Sequence, residues 1–291
     1  MRLSAACMAC YVRRQEEKIR ECSDEALRVA YMRRVMEAIL AFDPDRTSPV
    51  LAGEIAKIHA EMFGDAPDYS GIKHKYNKMV LDIREDIAER IAESPDPLAE
   101  SLKYARAGNY IDFAAFKDIS RDTLFALIDA VRDEELPWPT YDRFCRDLEK
   151  AERMVYLVDN CGEIVLDTLV VEELRRRYPN LSITAIVRGA PIYNDCTMED
   201  AEESGMSALV PVLENGCAVA GTPLEVIGDE ARAAIMRADV ILAKGQGNFE
   251  SMSGCGLNAY YLFLCKCDWF CRHFNCERNT GMFLREKDGK F

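Results

Sequence analysis

The sequence predicts an α/β fold: a three-layer α/β/α sandwich with a mostly parallel, Rossmann-like sheet, together with an N-terminal helical region. Three observations lead to this prediction. Apolar residues recur at helical spacing across residues 1–130, and short continuous apolar runs appear after about residue 150. Those runs alternate with amphipathic segments, which is the pattern of βαβ units. We therefore divide the chain into a helical region, 1–130, and an α/β domain, 131–291.

Four helix patterns occupy the N-terminal region. In the first of them, apolar side chains at Leu27, Tyr31, Val35 and Ile39 share one face. Pro and Asp residues separate successive patterns, as is typical of helix boundaries. The predicted helices are Ser23–Phe42, Pro49–Phe63, Ser70–Ser94 and Leu98–Ala107.

The C-terminal part alternates between strand and helix patterns. Its first strand is a continuous apolar run, which favours a parallel strand covered on both faces. The predicted strands are Met154–Val158, Leu181–Val187, Ala208–Leu213, Asp239–Ala243 and Tyr260–Cys265, the last of which also fits a buried helix. The predicted helices between them are Glu163–Tyr178, Met198–Ser204 and Leu224–Arg237.

The charge and hydropathy of the sequence argue against a nucleic-acid-binding protein and against a membrane protein. The 291 residues include 37 basic and 50 acidic side chains, a formal net charge of -13, which argues against general binding of nucleic acid. No segment approaches the roughly 20 apolar residues of a membrane-spanning helix, and the N-terminus lacks a secretory apolar region. We expect a cytoplasmic protein with neither nucleic acid nor membrane as partner. The sequence does not indicate its oligomeric state.

Polar residues follow three of the predicted strands. The segments are Asp159–Glu163, Arg188–Asp195 and Lys244–Glu250, each of which we interpret as a loop directly after a strand. In a doubly wound sheet, ligands bind at the carboxyl ends of the strands, so these three segments should meet at one edge.

The first two loops carry a candidate metal site. Asp159 and Asp195 are 36 residues apart, close to the length of one βαβ unit, so their carboxylates can lie at neighbouring strand ends. With the Asn160 amide oxygen they form an all-oxygen set suited to Mg²⁺ or Mn²⁺. Arg188 and Lys244 could then neutralise a bound phosphate.

Ordinary structural roles explain each motif taken singly. Asp159 or Asn160 could cap the following helix, and Glu163 could complement its dipole. Lys244-Gly245-x-Gly247 could be a simple turn, although its glycines would also let backbone N–H groups approach a phosphate. The combination at three strand ends favours a functional site.

These motifs resemble those of the damage-control phosphatase family. The resemblance rests on Asp159-Asn160-x-Gly162-Glu163, Arg188-Gly189-x-Pro191-x-x-Asn194-Asp195, Lys244-Gly245-x-Gly247-Asn248 and Gly108-Asn109-x-x-Asp112. An N-terminal Cys7-x-x-Cys10 resembles the prokaryotic branch of that family. The resemblance spans almost the whole chain.

The resemblance implies a metal-dependent phosphatase that hydrolyses phosphomonoesters of small metabolites, such as sugar phosphates or damaged phosphorylated metabolites. It implies a divalent cation, Mg²⁺ or Mn²⁺, with Co²⁺ or Ni²⁺ as further candidates. Asp159, Asn160 and Asp195 would bind the metal, and Asp159, Asp195 and Glu163 would be catalytic. The implied substrate-binding residues are Arg188, Lys244, Asn109, Asp112, Gly245 and Asn248.

Two mechanisms remain open from the sequence. A water molecule positioned by the metal or by a carboxylate could attack the phosphoryl group. Alternatively, Asp159 or Asp195 could form a transient aspartyl phosphate. The Asp-x-Asp pattern of haloacid dehalogenase-like phosphatases is absent, because Cys161 occupies its second Asp position.

The 12 cysteines suggest a second site. Cys7 and Cys10 form half of a zinc site or a redox pair, which Cys267 and Cys271 could complete if the termini meet. We therefore expect a structural Zn²⁺ or a disulfide at Cys7, Cys10 and Cys267. Two rival functions also stay open: a non-catalytic nucleotide- or cofactor-binding protein, and a cysteine-based metal or redox module. Neither a dinucleotide-binding fingerprint nor a Walker motif supports the first rival.

Overall fold

A computed structural model describes residues 2–64, 68–109, 122, 126, 128–129 and 134–288. Within these residues the chain forms a helical N-terminal part and one mixed sheet. The helices are α1 (Ala5–Lys18), α2 (Glu25–Ala41), α3 (Ser48–Phe63), α4 (Ser70–Glu93), α5 (Pro97–Gly108), α6 (Trp138–Leu148), α7 (Glu163–Arg177), α8 (Met198–Glu203), α9 (Met206–Leu209), α10 (Asp229–Arg237), α11 (Gly245–Met252) and α12 (Asp268–Phe274).

The sheet has six strands in the order β3-β2-β1-β4-β5-β6. Strands β1 to β5 are parallel, and β6 pairs antiparallel with β5 at one edge. The order reverses between β1 and β4, which makes a crevice at their carboxyl ends. The strands are β1 (Arg153–Leu157), β2 (Ser182–Val187), β3 (Val212–Glu214), β4 (Val240–Lys244), β5 (Ala259–Leu264) and β6 (Gly281–Arg285).

Alternate residues of each strand pack into two different cores. Tyr156 and Leu242 belong to the core that contains α4, α5, α6 and α7. Val155 and Ile241 belong to the core that contains α10, α11 and α12. Because side chains of a strand alternate between faces, the two cores lie on opposite sides of the sheet. The predicted α/β/α sandwich with a mostly parallel sheet is confirmed.

The N-terminal helices are divided between two cores. Helices α1, α2 and α3 form a separate apolar cluster around Tyr31, Val35 and Leu51. Helices α4 and α5 instead pack in the core on one face of the sheet. The boundary between 1–130 and 131–291 stays a prediction, but part of the helical region is thus a covering layer of the sheet.

Several elements differ from the sequence prediction. Residues 208–213 are not one strand, because the short helix α9 ends at Leu209 and β3 begins only at Val212. Helix α10 begins at Asp229 rather than at Leu224, because Gly228 has extended backbone and forms the N-cap. The expected loop from Lys244 to Glu250 is the end of β4 followed by helix α11. Residues 259–264 form a strand, and α1, α6 and β6 were not predicted individually.

Among the helices that the structure describes, none combines the length and the apolar character needed to cross a membrane.

Candidate active site

The loops after β1 and β2 are joined directly to each other. A short antiparallel bridge pairs Asn160 with Asp195. The Cys196 N–H donates to the carbonyl oxygen of Asp159 at 2.8 Å, and the Cys161 N–H donates to that of Asn194 at 2.9 Å. These bonds bring Asp159 and Asp195 together, as the sequence predicted, beside the crevice between β1 and β4.

Arg188 lies between the two aspartates. Its Nε donates to Asp195 Oδ2 at 2.6 Å, and its second terminal nitrogen lies 3.5 Å from Asp159 Oδ1. The side chain is fully buried, and its remaining nitrogen, Nη1, has no hydrogen-bond partner in the described part of the chain. A buried guanidinium nitrogen without an acceptor is costly, and an oxyanion ligand would satisfy it.

Two asparagine amides hold the carboxylates from the opposite side. Asn109, at the end of α5, donates from Nδ2 to Asp159 Oδ2 at 3.1 Å and to Glu163 Oε2 at 2.9 Å. Asn160 Nδ2 contacts the same two atoms, at 2.6 Å and 3.2 Å. Helix α5 therefore contributes to a site that is otherwise built by strand ends.

Behind Glu163 lies a buried ion-pair network. Lys244 Nζ donates to Glu163 Oε1 at 2.6 Å, to Asp167 Oδ1 at 2.7 Å and to the Ala105 carbonyl oxygen at 3.0 Å. Tyr156 donates its hydroxyl proton to Asp167 Oδ1 at 2.7 Å. All three ammonium protons of Lys244 are thus directed at protein atoms, so the lysine orients Glu163.

The site carries excess negative charge. Burial, reinforced by the charges of Glu163 and Asp195, raises the pKa of Asp159 to about 8. Burial also raises the pKa of Asp195, against the opposing effect of Arg188, and raises that of Asp167 to about 6. Four buried carboxyl groups, those of Asp159, Glu163, Asp167 and Asp195, lie near two buried cations, Arg188 and Lys244. With all four carboxyl groups ionised, the excess of two negative charges equals the charge of one divalent cation, whose binding would favour the ionised forms.

The donors at Asp159, Asn160 and Asp195 fit a hard divalent cation in chemistry and charge. The Asn160 amide is turned so that Nδ2, and not the oxygen, faces Asp159. Rotation of the terminal amide by about 180° exchanges two groups of nearly equal size, and would present the oxygen to a cation. The three oxygen donors could then share one ion.

Gly245 and Asn248 lie on α11, which begins at the end of β4. A Cβ atom added to Gly245 would fall 1.9 Å from Asp159 Oδ2, so only glycine permits this approach. Asn248 donates to the carbonyl oxygens of Val158 and Lys244 and accepts from Thr222. Its amide therefore ties the end of β1 to the end of β4.

Comparison with known proteins identifies the family. A model of the family described as damage-control phosphatase ARMT1-like domain matches residues 3–281. The chain belongs to this family. The resemblance of the sequence motifs to damage-control phosphatases is thereby confirmed.

Several similar proteins come from archaea. A damage-control phosphatase of Pyrococcus horikoshii is 27% identical over 291 residues, covering 99% of both chains. A damage-control phosphatase of Archaeoglobus fulgidus is 28% identical over 298 residues, covering 92% of this chain and 93% of its own. The crystal structure of a DUF89 family protein from Pyrococcus horikoshii shares the fold, with 24% identity and a TM-score of 0.81 over 98% of this chain and 99% of that one. Family membership supports a phosphatase role on damaged metabolites.

Three residues that lie near the carboxylate cluster or its supporting network were not singled out from the sequence: Lys266, Asp167 and Asn77. The positive charge of Lys266, which follows β5, lowers the pKa of Asp159 against the effect of burial. Asp167 forms the second half of the Lys244 network. Asn77 on α4 accepts the Gly162 N–H at 2.6 Å and so holds the loop after β1. Lys266 directly follows the predicted strand Tyr260–Cys265, but that segment also fitted a buried helix, and Asn77 comes from a helix.

A cavity of about 510 Å³ lies beside the loop that carries Asp195. Helices α1, α3 and α4 form one wall, and residues 191–193 together with Thr197 form another. Its lining includes several basic and aromatic polar groups: Lys18, His59, Tyr69, Lys73, His74 and Tyr193. It also includes four carboxyl groups, those of Asp68, Glu199, Asp200 and Glu203. Lys73 pairs with Asp200, and His74 pairs with Glu203.

Asp112 and the cysteines are the remaining residues that were singled out from the sequence. Asp112 lies outside the described residues. All 12 cysteines are free thiols. The expected metal site or disulfide at Cys7, Cys10 and Cys267 stays a prediction. Among the described residues, the thiols close enough to share an ion are Cys265, Cys271 and Cys276.

Proposed function

We propose that this chain is a metal-dependent phosphatase that hydrolyses phosphomonoesters of small metabolites, such as sugar phosphates or damaged phosphorylated metabolites. The observation that supports it is the buried cluster of Asp159, Asn160 and Asp195 at the switch point of the sheet, with the unpartnered Nη1 of Arg188 beside it. Excess negative charge suits a divalent cation, and the unpartnered guanidinium nitrogen suits a phosphate oxygen.

Each side chain has a part in the proposed reaction. Asp159, Asn160 and Asp195 hold the cation, Mg²⁺ or Mn²⁺, with Co²⁺ or Ni²⁺ as substitutes. The bound ion would supply Lewis-acid polarisation of the phosphoryl group. Arg188 and Lys266 bind phosphate oxygens and neutralise their charge.

Hydrolysis requires a proton acceptor and a proton donor. A carboxylate of the cluster takes a proton from the attacking water as the new P–O bond forms. The ester P–O bond breaks, and the proton passes to the leaving alkoxide, which departs as an alcohol. Lys244 and Asn109 hold Glu163 in place for this role, and the burial of the site limits access of other water molecules.

The cavity beside Asp195 suits the rest of the substrate. A volume of about 510 Å³ lies within the usual range for small-molecule sites. Its lining carries charged groups of both signs, which favour a hydroxyl-rich metabolite over an apolar one. We therefore place substrate selection in the wall formed by α1, α3 and α4.

Hydrolysis assays test the proposal. The substrates are para-nitrophenyl phosphate and a panel of sugar phosphates, assayed with EDTA and with added Mg²⁺, Mn²⁺, Co²⁺ or Ni²⁺. We expect turnover that EDTA abolishes and that Asp159→Asn reduces at least about 100-fold. Asp229→Asn is the matched control, because the Asp229 side chain is fully exposed on α10.

Two results would contradict the proposal. A folded protein without turnover on any phosphate, but with tight nucleotide binding, would support a binding protein instead. Turnover that is equal in the Asp159→Asn and Asp229→Asn variants would place the activity elsewhere. Rapid-quench trapping with labelled substrate separates the two mechanisms, since an acid-stable label on the protein would indicate an aspartyl phosphate.

A further inference from the structure

A group of cysteines lies just beyond β5, apart from the carboxylate cluster. Cys265 follows the last residue of β5 and is fully buried. Cys271 lies on α12, and Cys276 follows the end of that helix; both are partly exposed. The phosphatase reaction proposed above uses none of these thiols.

The three sulfur atoms are gathered tightly. All lie within 4.8 Å of one another, and Cys265 Sγ is 3.6 Å from Cys271 Sγ. In a tetrahedral zinc site with Zn–S bonds of about 2.3 Å, neighbouring sulfurs are roughly 3.8 Å apart. The spacing therefore matches a site that needs only small side-chain adjustments to close on an ion.

The backbone fixes this arrangement. The Cys271 N–H donates to the Cys267 carbonyl oxygen within the first turn of α12, and the Cys276 N–H donates to the Cys271 carbonyl oxygen, both at 2.9 Å. Asn275 has a left-handed conformation, with a φ of 50°, which turns the chain so that Cys276 returns toward the helix. The three ligands are thus positioned before any ion binds.

Cys267 has a different environment. It is the N-cap residue of α12. Burial raises the pKa of its thiol, and the backbone N–H groups of Phe270 and Trp269 oppose that effect. The thiols that lie within 4.8 Å of one another are those of Cys265, Cys271 and Cys276, so Cys267 stands outside the sulfur cluster.

We propose that Cys265, Cys271 and Cys276 bind a zinc ion. Soft sulfur ligands select zinc over the hard cations that suit the carboxylate cluster. Binding forms three Zn–S bonds and releases the three thiol protons to solvent, and water completes the fourth position. The ion would fasten α12 to the end of β5, next to Lys266.

Cobalt binding tests this site in the full-length protein. The protein is reduced, stripped of metal and titrated with Co²⁺, and the sulfur-to-cobalt charge-transfer absorption is recorded. We expect the band in the wild type and its disappearance when Zn²⁺ displaces the cobalt. Asp159→Asn should show the same band, because a site made of oxygen ligands gives no sulfur-to-cobalt absorption. Absence of the band would therefore contradict the zinc site without bearing on the phosphatase proposal.

Single serine variants identify the ligands. Cys271→Ser and Cys276→Ser should lose the band or weaken Co²⁺ binding at least about tenfold. Cys10→Ser is the matched control, because Cys10 belongs to the rival set expected from the sequence, and it should retain the band. Circular dichroism of each variant tests whether the fold is kept. Cys271 and Cys276 are both partly exposed, so two variants are available if one of them fails to fold.

Two outcomes would overturn the proposal. The first is a reduced wild-type protein that gives no charge-transfer band at saturating Co²⁺. The second is a band that survives in both Cys271→Ser and Cys276→Ser but disappears in Cys10→Ser.

Discussion

Gly245 leaves no room for a side chain beside Asp159. It also has a φ of +77°, a conformation that costs other residues about 1–3 kcal/mol. We expect Gly245→Ala to push the Asp159 carboxylate out of position and lower kcat roughly 100-fold, since misplacement by about 1 Å can have that effect. Steady-state kinetics with para-nitrophenyl phosphate measures the loss.

Gly254 provides the matched control for this substitution. It also has a positive φ, +90°, but an added Cβ atom would meet nothing within 4 Å. Gly254→Ala should therefore show a similar loss of stability with nearly normal kcat. An equal fall of kcat in both variants would mean that strain, and not contact with Asp159, is responsible.

Lys244 is the counter-charge of two buried carboxylates. We expect Lys244→Met to lower the free energy of unfolding by roughly 3–5 kcal/mol, because Glu163 and Asp167 lose their shared ion pair. Urea denaturation measures the change. Arg20→Met, which removes an exposed pair with Glu16, should leave the free energy of unfolding nearly unchanged.

The deficit caused by Lys244→Met should depend on pH. The charge of Lys244 lowers the pKa of Asp167, which burial nevertheless raises to about 6, so removal of the lysine raises it further. A carboxyl group whose pKa is higher in the folded than in the unfolded state binds more protons when folded, so stability falls as pH rises. The loss of unfolding free energy caused by Lys244→Met should thus be smaller at about pH 5 than at about pH 8. A deficit independent of pH would contradict this explanation.

Individual site residues were predictable where they directly follow a strand. Asp159, Arg188 and Asp195 fall at the carboxyl ends of β1 and β2, and parallel strands bring those ends to one edge. Lys266 also follows a strand, β5, but it was missed because residues 260–265 fitted a buried helix equally well. Asn77 was missed because nothing in a helical pattern shows which polar side chain faces a distant loop.

At the scale of elements, α4 holds the loop after β1 through Asn77. The Asn77 amide accepts the Gly162 N–H at 2.6 Å and donates to Asp200 and Glu203 on α8. We expect Asn77→Ala to lower the free energy of unfolding by about 1–3 kcal/mol, because a buried N–H loses its partner. Hydrogen exchange should show faster exchange of the Gly162 amide.

Lys78 is the matched control on the same helix. Its side chain is mostly exposed and pairs only with Asp82, one turn away. Lys78→Ala should change the free energy of unfolding by less than about 0.5 kcal/mol and leave Gly162 exchange unchanged. Faster exchange at Gly162 in both variants would attribute the effect to α4 as a whole.

Whether a helix or strand could be predicted from the sequence depended on its length and on how much of it is buried. Strands β1, β2 and β4 are continuous buried runs between clear breaks, so their sequences were sufficient. Helix α11 was taken for a loop because its first three residues include two glycines, Gly245 and Gly247, which usually indicate a turn. Strand β6 is an edge strand with only Phe283 fully buried, so its apolar pattern is weak.

At the scale of the whole molecule, the site combines parts that lie far apart in the sequence. Asn109 comes from α5, Asp159 and Asp195 from the first βαβ unit, and Gly245 from the start of α11. The strand order of the sheet brings these residues to one crevice. The parallel strands themselves were predicted from the sequence. The pairing of β4 with β1, which creates the crevice, depends on long-range contacts that periodicity alone does not specify.

Because the cation would bind only the folded assembly of these parts, it should stabilise the whole molecule. At a Mg²⁺ concentration 100 times the dissociation constant, the expected gain in the free energy of unfolding is about 2.7 kcal/mol. Mg²⁺ prefers oxygen ligands and so does not report on the cysteine cluster. Thermal unfolding at matched ionic strength should show a rise in Tm of several degrees for the wild type and a much smaller rise for Asp159→Asn. Equal rises in both proteins would mean that Mg²⁺ stabilises the molecule at some other place.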